Sequence, residues 1–316
     1  MLLKLKIVTK CSAQKRTIKK ETLNTKQQIA FRIIASDFFK LLDDQKKGIN
    51  KITEPNFRPY LRLLLSGPGG TGKTHVVRAI QQVMNAYGCQ HKICFLAPSG
   101  SAASLINGMT VHKGLSIKVK KPGKNKENCI SGDANEDYTV LVSIPDHKKV
   151  REEFKNVIVV MCDEASLLST QLAAEMDHAM RYAKDNNEYF GGVIVIFAGD
   201  FYQYPPVFGS PLYTPMKNKA KVTDQELLKR LGRLCWKSVI EVIILEEQER
   251  MKDDPDYAQA VLNLRKCTCT VSDIELFNSR VVKSVEHPHG IDMSTDGNEN
   301  ATAIVATNLL RQAINM

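Results

Sequence analysis

Short runs of almost unbroken apolar residues recur along the chain, and they set its architecture. LRLLLSG (61–67), KICFLAP (92–98), NVIVVMCDE (156–164), VIVIFAGD (193–200) and SVIEVIILEE (238–247) are five of them, and TAIVATN (302–308) is a sixth. Runs without polar alternation mark strands buried on both faces, the pattern of a parallel sheet. Helical periods fill the intervals. In KTHVVRAIQQVMNAYG (73–88), Val76, Val77, Ile80 and Val83 share one face and Gly88 supplies a C-terminal stop. STQLAAEMDHAMRYAK (169–184) predicts another helix, and LNTKQQIAFRIIASDFFKLL (23–42) a third. In that third stretch Ile29, Ile33, Ile34, Phe38 and Leu41 form the apolar face, and Thr25 and Gln28 have the spacing of a capping box. Parallel strands joined by helices give right-handed crossovers and a doubly wound α/β sheet. Ligands of such sheets gather beyond the carboxyl ends of the strands, which is where this chain places its polar residues.

Two stretches break the rhythm. Residues 1–22 are Lys-rich without a sustained period and predict a flexible basic leader. Residues 113–155 predict a surface insertion, basic at first with Lys113, Lys118, Lys120, Lys121, Lys124 and Lys126, then acidic in SGDANEDY. A solvated loop and a nucleic-acid contact both fit it. The formal charge of +10 over 316 residues favours an acidic polymer as partner. None of the eight cysteines makes a CxxC pair or a Cys/His cluster with zinc spacing; Cys94 and Cys162 sit inside apolar runs as small core residues. This usage predicts a reduced, intracellular protein that is not secreted, and the Asn300-Ala-Thr sequon is read as chance. Lysines at 4, 6 and 10 interrupt any signal-peptide core, and no apolar run reaches membrane-spanning length. No internal repeat is visible.

The strand ends carry the chemistry. The first run leads into GPGGTGKT (67–74) and then a helix, the required setting of a P-loop. Gly67, Gly69, Gly70, Thr71 and Gly72 let successive N–H groups curl around phosphate oxygens, and the following helix adds its positive end. Lys73 would reach the terminal phosphates of ATP, and Thr74 would offer its hydroxyl to Mg²⁺. Asp163 and Glu164 end the third run; next to the P-loop, Asp163 would hold Mg²⁺ and Glu164 would orient and deprotonate the attacking water. The fourth run ends in AGDFYQYPPV (198–207). Its strand should lie beside that of Asp163 or close to it, so Gln203 emerges near the γ-phosphate as a candidate sensor. Pro205 and Pro206 stiffen the chain just beyond it.

LNTKQ, GPGGTGKT, APSGSAASLINGMTVH, DEAS, GDFYQYPPV and LEEQER, in this order, resemble the motifs of the Pif-one-like DNA helicases. That family belongs to the 5′-to-3′ branch of superfamily one and includes the helicase portions of Helitron transposons. The resemblance implies a RecA-like P-loop NTPase domain over 23–244 and an incomplete second RecA-like domain over 245–316. It implies that Gln27 recognises adenine, that Gln203 couples hydrolysis to DNA, and that Arg250 is an arginine finger across an interdomain cleft. It also implies that Pro98, Ser99, Gly100 and His112 grip the backbone of single-stranded DNA. Phe201 and Tyr202 are the aromatic candidates for base stacking, one of them packing beneath the loop instead. The implied activity is a DNA-stimulated, ATP-dependent helicase, acting as a monomer on single strands or tailed duplexes in repair, recombination or telomere upkeep. The implied compartment is the nucleus or the mitochondrion. A non-processive ATP- and DNA-binding remnant and a transposon segment are the alternative readings.

Overall fold

The computed structural model describes residues 22–47, 60–117, 147–215 and 223–282, with the isolated residues 291, 305 and 312–313. The leader up to residue 21, the centre of the insertion (118–146) and all but Val305 of the sixth apolar run lie outside the described residues. The chain divides into two compact units, one ending at Glu249 and the other beginning at Arg250.

Among the described residues the first unit has six parallel strands: β1 (Arg62–Ser66), β2 (Ile93–Ala97), β3 (Met109–Thr110), β4 (Val159–Cys162), β5 (Ile194–Gly199) and β6 (Glu241–Ile244). Their order across the sheet is β3-β2-β4-β5-β1-β6. Five strands come from the apolar runs read above. β3 was not foreseen, because a two-residue strand carries no pattern. The α-helices among the described residues of this unit are α1 (Thr25–Lys47), α2 (Lys73–Ala86), α3 (Gly100–Leu105), α4 (Val111–Gly114), α5 (His147–Phe154), α6 (Thr170–Lys184) and α7 (Asp224–Lys237).

Alternation along each strand explains the unbroken hydrophobicity. Leu63, Leu65, Val159, Met161, Ile194, Ile196 and Ala198 face one core with α1 and α2. Leu64, Val160, Cys162, Val195 and Phe197 face the opposite core with α5, α6 and α7. Both sides of the central strands are therefore apolar, as a parallel sheet covered twice demands. β6 departs from this. As an edge strand it leaves Val242 and Ile244 about half exposed, so its apolar run does not report two-sided burial.

Helix α1 also differs in detail from expectation. Its buried stripe is Phe31, Ile34, Phe38, Leu41 and Leu42, whereas Ile29 is 48 % exposed. Its capping box lies one residue earlier than Thr25 and Gln28. Asn24 accepts the Gln27 N–H on Oδ1 at 3.0 Å, and Gln27 accepts the Asn24 N–H on Oε1 at 3.0 Å. Both pairings have the three-residue spacing, so register alone separated them.

α6 and α7 cross at a point of closest approach. A Cβ built on Gly232 would lie 1.6 Å from the Thr170 carbonyl oxygen. Gly232→Ala must therefore push the helices apart, at a cost of about 3 kcal/mol. The expected result is a melting temperature lowered by roughly 5–10 °C, measured by a thermal denaturation scan.

The second unit contains α8 (Pro255–Arg265) and α9 (Val271–Asn278). Tyr257 and Phe277 meet edge to face at 6.1 Å, and Thr270 with Asp273 forms a complete capping box for α9. Arg280 donates to Asp254 at 2.8 Å. Among the described residues no helix is long and apolar enough to cross a membrane.

Candidate active site

All six strands point the same way, so their carboxyl ends form one rim. The sheet order corrects one expectation: β4, which leads into Asp163, is not the neighbour of the P-loop strand. β5 lies between them, paired to β1 with Ser66 opposite Gly199 and to β4 with Cys162 opposite Phe197. Adjacent strands are about 4.8 Å apart, so the three tips still fall within roughly 10 Å. Packing at the rim is close, since a Cβ on Gly199 would lie 2.8 Å from the Ala165 nitrogen.

The P-loop runs from Gly67 into α2, whose N-terminal cap is Gly72 at φ +79°. The Lys73 ammonium donates to the carbonyl oxygens of Gly67 at 2.7 Å and Pro68 at 3.0 Å. Thr71 is buried and donates its hydroxyl to Pro68 O at 2.9 Å, which tightens the same turn. Thr74 follows Lys73 in the first turn of α2. Gln27 is wholly buried and donates its amide to Thr71 O at 3.1 Å. Gly72 passes so close that a Cβ there would lie 2.3 Å from that amide nitrogen. Gln27, assigned to adenine by resemblance, thus supports the phosphate loop in this structure, and both ends of its side chain have protein partners.

The segment after β6 braces the loop from the other side. Leu245 N–H bonds Ser66 O at 2.8 Å, and Glu249 N–H bonds Gly70 O at 3.0 Å. Glu249 also accepts from the Asn24 amide at 3.1 Å, and Glu246 pairs with Lys26 at 2.5 Å. The motif LEEQER therefore begins as a structural strut. Arg250, its last residue, is exposed and opens the second unit.

Three acids collect at the tips of β4 and β5. Asp163 accepts the Glu164 N–H at 2.9 Å. Burial pushes the Asp163 carboxyl above its ordinary range, while that N–H and the nearby Lys73 charge pull it back. Glu164 is raised by burial first and by the Asp163 charge second; Asp200 adds to this and Lys73 opposes it. Lys73 therefore faces both carboxylates electrostatically. Glu164 adopts the left-handed region at φ +53°, which costs a non-glycine residue about 1–2 kcal/mol. Such strain is typical of functional turns.

No group of three or more His, Cys, Asp or Glu side chains forms a metal cage among the described residues. A magnesium ion at a P-loop needs none, since phosphates and water supply most of its ligands. Asp163, a half-buried carboxylate held beside Lys73, and the Thr74 hydroxyl are hard oxygen donors suited to that role. Cys94 and Cys162 are inert core thiols: burial pushes Cys94 up to about 12 and Cys162 higher still.

Gln203 is exposed and sits above the P-loop, where a Cβ built on Gly69 would lie 3.6 Å from its amide nitrogen. The structure thus brings Gly69, Lys73, Asp163, Glu164 and Gln203 to one end of the sheet. Phe201 does not behave as a stacking platform. Its ring packs edge-on against Trp236 at 5.5 Å and Tyr213 at 6.2 Å, so it anchors the loop to α7. The exposed aromatic surface belongs instead to Tyr202, Tyr204 and Phe208, which are 73 %, 84 % and 78 % exposed. Tyr204 and Phe208 were missed because solvent exposure after a strand end leaves no periodic trace.

Pro98, Ser99 and Gly100 follow β2 on the same rim. Ser99 caps α3 by accepting the Ala102 N–H at 3.3 Å, and a Cβ at Gly100 would meet nothing within 4 Å. His112 is half-buried in α4, whose cap is Thr110. Across the sheet, β4 separates Pro98, Ser99 and Gly100 after β2 from the crest of exposed aromatics after β5, whereas both β2 and β4 separate His112 from it.

Comparison with known proteins follows the same lines. The family model described as PIF1-like helicase matches residues 40–275. The ATP-dependent DNA helicase PIF1 of Saccharomyces cerevisiae (strain YJM789) is 28 % identical over 170 residues, 54 % of this chain and 18 % of that protein. The crystal structure of Pif1 helicase from Candida albicans superposes with a TM-score of 0.57 at 22 % identity, over 84 % of this chain and 49 % of that one. The Bacteroides Pif1 helicase crystallised with ADP-AlF3 and ssDNA gives a TM-score of 0.51 at 20 % identity, over 81 % of this chain and 51 % of that one. The chain thus spans less than a fifth of the yeast protein and about half of each crystallised chain.

Proposed function

The chain belongs to the PIF1-like helicase family, and from that premise we propose that it is the ATP-hydrolysing, DNA-engaging part of a 5′-to-3′ DNA helicase. The observation that carries this reading is the common rim, where P-loop, paired acids and Gln203 stand beside a row of exposed aromatic rings. The relatives' names and titles support the same substrates, ATP and single-stranded DNA.

On this reading the P-loop N–H groups and Lys73 bind the triphosphate. Lys73 leaves the Gly67 and Pro68 carbonyls and turns to the phosphates. Glu164 holds and deprotonates the attacking water. Gln203, exposed above Gly69, donates its amide to the terminal phosphate and reports its departure to the loop. Thr74 and Asp163 would hold Mg²⁺, which supplies charge neutralisation on the phosphates when bound. Gln27 is assigned the adenine contact, for which its buried amide would loosen its hold on Thr71 O. Arg250 is assigned the arginine-finger role, and the unit it opens is read as the start of a second RecA-like lobe. Monomeric action in the nucleus or mitochondrion, in repair, recombination or telomere upkeep, is proposed with the activity.

Single-stranded DNA would cross the rim, its backbone over Pro98, Ser99, Gly100 and His112 and its bases against Tyr202, Tyr204 and Phe208. Stacking is worth about 1–3 kcal/mol per base. Tyr204→Ala should therefore weaken binding of a fluorescent oligothymidylate roughly 5- to 150-fold, read by anisotropy at fixed salt. An unchanged affinity would remove the crest from the DNA path. The activity itself is tested by ATP turnover of the wild-type chain with and without oligothymidylate. Stimulated turnover is expected; binding of both ligands without turnover would reduce the chain to a nucleotide- and DNA-binding protein.

A further inference from the structure

The loop that carries Gln203 is held at both ends, and its second clamp lies outside every motif read from the sequence. At the near end Asp200 is buried. Its Oδ1 accepts the Tyr202 N–H at 3.1 Å, and its carbonyl accepts the Gln203 N–H at 2.9 Å. At the far end Ser210 donates its N–H to Gln171 Oε1 at 3.1 Å and accepts the Thr170 N–H at 2.8 Å. The Thr170 hydroxyl donates to the same Gln171 oxygen at 3.1 Å. Gly209 passes at φ +89°, where a Cβ would lie 2.7 Å from Gln171 Oε1. Pro211 bridges to Ser169, the cap of α6.

The first turn of α6 begins six residues after Glu164 in the chain. The element that leaves the catalytic acid therefore takes hold of the loop that bears the sensor. We propose that Gln171 is a positioning residue for ATP hydrolysis: by fixing residues 209–211 to the start of α6, it sets Gln203 over the P-loop relative to Glu164. On this reading Gln171 acts through the loop, by its bonds to Ser210 and Thr170, and not on the nucleotide. A loop tied at one end only would let Gln203 wander by an ångström or more, a displacement that costs about 10²-fold in a reaction that depends on alignment.

This inference rests on the ATP turnover proposed above, so its test carries a second readout. Gln171→Leu removes the acceptor, Gln171→Glu retains an acceptor oxygen, and Gly209→Ala forces the loop off the clamp. Gln171→Leu and Gly209→Ala should lower kcat of DNA-stimulated hydrolysis about 10- to 100-fold with the KM for ATP within about twofold. Gln171→Glu should stay near wild type. Chymotrypsin should cut after the exposed Tyr202 and Phe208 several-fold faster in the first two variants than in the wild type or Gln171→Glu. Unchanged kcat in Gln171→Leu, a proportional rise in KM, or equal failure of Gln171→Glu would overturn the proposal. If the wild type does not turn over ATP, the helicase reading fails, and the cleavage rates alone decide whether the clamp exists. Circular dichroism melts identify any variant that does not fold, and Gly209→Ala then stands for Gln171→Leu.

Discussion

Lys73→Ala is expected to lower DNA-stimulated ATP turnover by at least about 10²–10³-fold, the scale for removing one preorganised donor at a developing charge. The site gives two reasons for a large effect. The ammonium already lies in the phosphate cradle, bonded to Gly67 O and Pro68 O at 2.7 and 3.0 Å, so binding only redirects it. Its charge also partly offsets the upward push that burial gives the Asp163 and Glu164 carboxyls. Its loss leaves two partly buried acids facing each other without a counter-charge, and both shift further up. Titration of a fluorescent ATP analogue should show weakened binding alongside the lost turnover. Undiminished hydrolysis in this variant would take the P-loop out of the mechanism.

Glu164→Gln should separate binding from chemistry. The amide nearly matches the carboxylate in shape and adds no strain beyond that already present at φ +53°. It cannot accept a proton from water, and positioned general bases contribute about 10²–10⁴-fold. Turnover should fall by that factor while nucleotide affinity is unchanged or improved, because one negative charge has left the neighbourhood of the phosphates. Calorimetric titration together with single-turnover hydrolysis measures both quantities. Loss of affinity with folding intact would make Glu164 a structural residue of the turn.

Much of this fold is legible in the sequence for a physical reason. Strands such as Val159–Cys162 and Ile194–Gly199 are apolar on both faces because helices cover both. The P-loop is equally legible, since its backbone geometry demands glycine at set positions. What stays hidden depends on tertiary neighbours. Phe201 and Tyr202 are adjacent aromatics, yet one packs on Trp236 and the other is 73 % exposed; only the position of α7 decides which. Thr25 with Gln28 and Asn24 with Gln27 are equivalent on spacing, and the choice follows from Gln27 reaching Thr71. Gln171 gives no signal at all, because its importance comes from a loop that returns to it 39 residues later. The place of β5 between β1 and β4 likewise comes from chain crossing, not from any residue pattern.

Gln27 closes the start of α1 and props the phosphate cradle with one side chain. Helix α1 is therefore part of the phosphate loop's scaffolding, although Gln27 lies more than forty positions upstream of Thr71. Deleting it while leaving GPGGTGKT intact would remove a support of that loop. A minimal nucleotide-binding fragment of this protein has to begin before Asn24.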